Sequence, residues 1–111
     1  MAQPSFIYIV TSPDKKKLGE FKIGKHTGPV EKLLEKRNTY FIPPIIEYCI
    51  EVSNPELVLN HVLGYLDYYR IQNHLGIKTS LVLLPVEKII STILYVIDGK
   101  NPDPMQIDCY S

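Results

Sequence analysis

A chain of 111 residues with 45% apolar and 22% charged side chains supports one domain with one core, and excludes a multidomain enzyme, a disordered acidic tail and a low-complexity segment. Twelve basic residues balance twelve acidic ones, which excludes the strong long-range steering of a highly basic nucleic-acid binder. The balance is uneven, however: residues 1–42 hold eight basic against four acidic side chains, and the remainder reverses that excess.

The longest apolar stretch, Ile77 to Ile97, is interrupted by Lys78, Pro85, Glu87 and Lys88, and no basic region followed by an apolar run opens the chain. The expectation is an intracellular protein, in cytoplasm or nucleus, without a membrane partner. Two cysteines, Cys49 and Cys109, fit a reducing compartment better than a disulfide scaffold, and no CxxC or HxxxH spacing supports a structural zinc.

In chain order, FIYIVT over Phe6 to Thr11 and EFKIGK over Glu20 to Lys25 read as two strands of a β-hairpin, with Ser12, Pro13, Asp14 and Gly19 marking the turn. Alternation puts Phe6, Tyr8 and Val10 on one face of the first strand, and Lys22 with Gly24 on one face of the second. Gly28-Pro29 opens a helix carrying Val30, Leu33 and Leu34 and ending near Thr39. Pro43-Pro44 leads into a third strand, Ile45 to Val52, assigned centrally for its β-branched content.

Asn54 is the expected cap of a second helix, whose stripe of Val58, Leu59, Val62, Tyr65, Leu66 and Tyr69 runs to about Ile71. Residues 72–76 read as a loop, and Ile77 to Leu84 as a buried strand or an irregular segment under the sheet. Pro85 begins a last helix through Ile97, stopped by Asp98-Gly99. The order β-β-α-β-α-(β)-α predicts a small α+β fold, with a mostly antiparallel three-stranded sheet flanked by helices in one domain, 1–98, and an irregular tail, 99–111.

FIYIV on the first strand, KIGK on the second, the Pro-started helix and the strand leading into EVSNPE occur in a definite order. Together they resemble the GIY-YIG nuclease superfamily, in particular its small bacteriophage and large-DNA-virus branch with a KIG second motif, over about Phe6 to Ile97. The resemblance implies a DNA phosphodiester hydrolase that uses one divalent metal, magnesium or manganese, a tyrosine-assisted water and a helix arginine. Metal and guanidinium neutralise the charge that gathers on a phosphodiester in flight.

By that resemblance Tyr8 is the first-motif tyrosine, although a ring packed on the first helix is the structural alternative. Lys22 stands where many relatives carry the second tyrosine, and Gly24 is the motif glycine. Lys32 occupies the place of the helix arginine, keeping the charge but losing the two-pronged grip on phosphate. Glu56 and His61 resemble an E-then-H pattern, with His61 serving the active face or bonding at the core's edge. The segment SLVLLP stands where relatives read E-W-F-x-L-P, placing Ser80 at the metal-ligand glutamate, and a neutral hydroxyl is a poor magnesium anchor.

The expected site is therefore Tyr8, Lys22, Lys32 and His61, with DNA contacts from Lys25, Lys36, Arg37 and Arg70, no metal ligand at Ser80, and nuclease activity weakened or lost. The alternative is a catalytically inactive module for a protein partner or a homodimer on the same fold. Magnesium or manganese is the cofactor if the protein is active, and there is none otherwise.

Overall fold

Strong β-formers on both sides of one turn pair as expected: β1 (Ser5–Thr11) runs antiparallel to β2 (Glu20–Thr27), with Tyr8 opposite Gly24 and Val10 opposite Lys22. The computed structural model describes residues 3–35 and 40–98. The turn contains a short helix, α1 (Pro13–Lys17), with proline in its first turn, and Gly19 takes the left-handed conformation (φ 75°) that returns the chain to β2.

The protein is an α+β fold built on a five-stranded antiparallel sheet. Besides β1 and β2 the strands are β3 (Ile45–Glu51), β4 (Arg70–Gln72) and β5 (Lys78–Leu83), in the order β3-β1-β2-β5-β4. This corrects the expected three strands and the central position of the third. β3 lies at the sheet edge, and none of its residues is fully buried. The ambiguous segment from Ile77 is a strand in the sheet, not an irregular stretch beneath it. The strands at the centre are β1 and β2, and Ile7 to Thr11 are buried without interruption.

After β2 the expected helix is replaced by a 3-10 segment, Val30–Glu35; the end foreseen near Thr39 lies outside the described residues, as does the tail 99–111. The second helix, α2 (Pro55–Tyr65), starts as its sequence dictates: the Asn54 side chain accepts from the Leu57 amide at 3.3 Å. It ends sooner than expected. A 3-10 turn, Asp67–Tyr69, leads into β4, which takes the place of the expected last helical residues to about Ile71 and the first residue of the expected loop.

Long-range bonds hold this departure in place. Arg70 donates from Nε to the Thr79 carbonyl at 2.8 Å, and Thr79 Oγ1 donates to the Ile71 carbonyl at 2.7 Å. The Asn73 carboxamide accepts from the Leu75 and Ile77 amides, closing the β4-β5 turn. The Lys78 ammonium, hydrogen-bonded to Asp67, holds that carboxyl below its ordinary range, with Arg70 adding to the effect.

The last helix, α3 (Val86–Asp98), covers the same sheet face as α2. Val62 and Leu66 from α2 and Ile89 and Ile93 from α3 enclose Ile7, Ile9, Ile23 and Val82 in the main core. A second, smaller cluster on the opposite sheet face comprises Tyr8, Val10, Leu33 and Phe41, with Ile46, Cys49 and Leu81 packed against it. Tyr65 and Tyr69, expected in the core stripe, are outside it: Tyr65 is 58% exposed and its hydroxyl meets that of Tyr95. α2 stops at Tyr65, so helical spacing no longer governs where Tyr69 points.

Replacing fully buried Ile23 with alanine is expected to cost about 2–5 kcal/mol, whereas Tyr65→Ala costs under about 1 kcal/mol. Urea denaturation of the two variants measures the contrast.

Candidate functional site

Directly opposed residues of an antiparallel pair share a face, so the β1-β2 register brings Phe6, Tyr8, Val10, Lys22, Gly24 and His26 to one side of the sheet. Alternation along β2 adds Glu20 to that side. Lys22 is half-buried beside Leu81, its partner on β5, and Cys49 is the partner of Tyr8 on β3. The expected common orientation of Tyr8 and Lys22 is therefore found.

The Tyr8 ring lies across β2 at Gly24. A Cβ built on Gly24 would stand 2.5 Å from both Cζ and the hydroxyl oxygen of Tyr8, closer than any real side chain tolerates. The glycine of KIG is thus the seat of the tyrosine ring, which leaves the phenol between the strand positions of Lys22 and His26. Tyr8 is only 7% exposed, and burial pushes its phenol above the ordinary tyrosine value, so it is protonated and a hydrogen-bond donor at neutral pH.

The cover over this face comes from the segment after β2. Leu33 and Phe41 are buried in the Tyr8 cluster, and Lys32 is exposed on the 3-10 segment beside Leu33. His26 Nε2 donates to the Pro29 carbonyl at 2.9 Å, an assignment set by the carbonyl being an acceptor only. His26 itself is 6% exposed, and its Nδ1 is buried without a hydrogen-bond partner among the described residues.

At the other end of the face, the Tyr40 hydroxyl donates to the buried Glu20 carboxylate, and the Lys15 ammonium sits 4.3 Å above the Tyr40 ring. The Glu20 hydrogen bond raises the Tyr40 pKa, and the interaction with Tyr40 raises that of Lys15. Glu20 and His26 are recoverable from sequence by counting two residues either way from the Lys22-Gly24 pair. Nothing in the local pattern marks Tyr40 and Phe41 as the cover.

The remaining expected site residues lie elsewhere. α2 packs on the opposite sheet face, so His61, exposed on that helix, does not join Tyr8 and Lys22. Lys25 also points to the α2 side, where it pairs with Glu56 at 3.7 Å. Arg70 is half-buried with its guanidinium bonded to Asp67, Lys78 and Thr79. Its donors hold the β4-β5 hairpin together. Lys36 and Arg37 lie outside the described residues.

Ser80 stands two residues before Val82, on the core side of β5, whereas Leu81 joins the Tyr8 cluster. Among the described residues no group of three or more His, Cys, Asp or Glu side chains is placed to hold a metal. Glu20, the carboxylate that alternation puts on the Tyr8 face, already accepts from Tyr40. Among the described residues, these side chains do not assemble a magnesium or manganese site.

Over 86 residues the chain is 31% identical to an uncharacterized protein of Acanthamoeba polyphaga mimivirus, a match covering 78% of this chain and 23% of that protein. The chain therefore spans under a quarter of the viral relative's length. No family model matches the chain. No solved structure matches it either. Among the described residues no helix is long and apolar enough to cross a membrane.

Two outcomes test this geometry. Gly24→Ala is expected to destabilise by about 1–3 kcal/mol, and Tyr8→Leu in the same chain should recover part of that loss, giving a non-zero coupling in a double-mutant cycle. Raising the pH is the second test. Because the folded phenol of Tyr8 titrates above its unfolded value of about 10, its contribution is intact below that pH and lost as pH climbs through the folded value. Urea midpoints should therefore fall in the alkaline range, and Tyr8→Phe should blunt the fall only in part, since Tyr40, Tyr95 and Cys49 are raised as well.

Proposed function

We propose that the chain is a GIY-YIG-like domain that contacts DNA phosphates through the Tyr8 face, with metal-dependent hydrolysis weakened or lost. The observation that carries this reading is the seating of Tyr8 on Gly24 with Lys22 on the same face, the relation that the FIYIV and KIGK resemblance calls for. A protonated phenol and an ammonium offer hydrogen-bond donors and positive charge to a phosphate. Lys32 extends the positive charge along the cover of that face.

Loss of catalysis rests on the donor set. Ser80 supplies a hydroxyl on the core side, Lys32 replaces a guanidinium, and His61 stands beyond the sheet, so among the described residues the carboxylate and guanidinium of the resembled family have no counterpart on this face. Binding outlasts chemistry in this reading because phosphate contact needs only charge and donors, whereas hydrolysis needs them aligned with an activated water.

A second reading, a protein-binding module, draws on a different surface. Tyr65, Tyr68 and Tyr69 are exposed at the end of α2, with Tyr68 at 89%, in the half of the chain where acidic residues exceed basic ones. A homodimer through this surface belongs to the same reading.

Fluorescence anisotropy with labelled duplex DNA at two salt concentrations separates the two. The DNA reading expects modest affinity that falls as salt rises, and Lys22→Ala with Lys32→Ala should lower the logarithmic salt slope by about 0.9 for each phosphate contact removed. Unchanged affinity in that double variant refutes the face. With magnesium or manganese the wild type should nick plasmid DNA very slowly or not at all; robust cleavage abolished by Tyr8→Phe would contradict the loss of catalysis.

A further inference from the structure

The phosphate-binding reading places its central donor under cover, and the cover has a defined fastening. Phe41 is 1% exposed in the same cluster as Tyr8 and Val10, while its neighbour Tyr40 reaches the Glu20 carboxylate and carries the Lys15 ammonium over its ring. The two rings meet edge to face at 4.9 Å, so Tyr40 and Phe41 move as one corner. Tyr40 itself is nearly half-exposed, which makes it the accessible half of the corner and Phe41 the buried half.

We infer that the Tyr40-Phe41 corner is a latch that closes the Tyr8 face, fastened by the Glu20 carboxylate and the Lys15 ammonium, and that phosphate contact at Tyr8 requires its release. This rests on the phosphate-binding reading of that face. In the closed form Phe41 fills the space beside Tyr8, and Lys15 is engaged by the Tyr40 ring and held near Glu20. Release frees the Lys15 ammonium and uncovers the Tyr8 phenol beside Lys22. A phosphate therefore gains contacts in the open form that the closed form denies it, which is the differential affinity a ligand needs to shift such an equilibrium.

The fastening is local and reversible in kind. A hydroxyl-carboxylate hydrogen bond and a cation stacked on a ring involve no covalent change, and their partners come from three places in the chain: the β1-β2 turn, the start of β2 and the residues before Pro43. His26 is bonded to the Pro29 carbonyl near the far end of β2 independently of Tyr40, so release of the Tyr40-Phe41 corner leaves that contact in place.

The test uses full-length protein labelled with 3-fluorotyrosine, with the Tyr8 resonance identified by its loss in Tyr8→Phe and its exposure read from broadening by a soluble nitroxide. Tyr40→Phe removes the hydroxyl bond while keeping the ring, and should raise the open population about tenfold, with a matching rise in Tyr8 broadening. Lys15→Gln, on an exposed helix, should act in the same direction by a smaller factor. Unchanged Tyr8 broadening in both variants overturns the latch. If broadening rises in Tyr40→Phe and duplex DNA binds more tightly in the anisotropy assay, latch and phosphate reading stand together. If broadening rises while DNA affinity stays the same, the latch stands as a physical closure and the phosphate reading falls.

Discussion

Burial of β1 on both of its faces is the constraint from which the architecture follows. Ile7 and Ile9 point to one side and Tyr8 and Val10 to the other, all within 7% exposure, so neither side of the sheet can be left to water. A strand of this kind demands a layer on each side. α2 and α3 supply one with a broad aliphatic interface. The other is supplied, among the described residues, by Leu33 and Phe41. The two layers are unequal, and the thinner one lies over the chemically interesting face.

The same asymmetry orders the charges. Much of the basic excess of residues 1–42 is engaged by the fold: Lys15 lies over Tyr40, Lys16 bonds Glu47 at 3.0 Å, and Lys25 pairs with Glu56. Such exposed pairs contribute little to stability, and salt weakens them further. They do reduce the positive field that a phosphate would meet at a distance. Any affinity for an anion on this surface would have to come from short-range donors, among them Lys22 and the Tyr8 phenol, more than from attraction at long range.

How much of this was legible in the sequence depended on the range over which each feature is determined. The hairpin and the Asn54 cap are local, and both stood out because strand-forming runs and a capping residue act through neighbouring backbone. β4 was illegible because its conformation depends on Arg70 and Thr79 reaching across to the neighbouring strand, while a helical apolar spacing runs up to Tyr69 immediately before it. β3 misled through composition: IIEYCIEV looks buried on both sides, yet the strand is half-exposed at the edge, with a register shift where Glu47 bonds Lys16. Of the candidate face, Tyr8, Lys22 and Gly24 are readable from period two, whereas the side on which His61 falls is not, because sequence order does not say which side of a sheet a helix will cover.

The seat of Tyr8 is set by packing rather than by chemistry. A glycine directly beneath a buried ring is held by packing alone, since any larger residue would collide with Cζ and the hydroxyl. A metal-binding carboxylate is different: it contributes nothing to the core, and on the core side of β5 it would be penalised for burial. Ser80 is half-buried two residues before Val82 in β5, where a small hydroxyl fits without a charged partner. Packing thus fixes the ring, the glycine and the strand register whether or not chemistry is performed on that face.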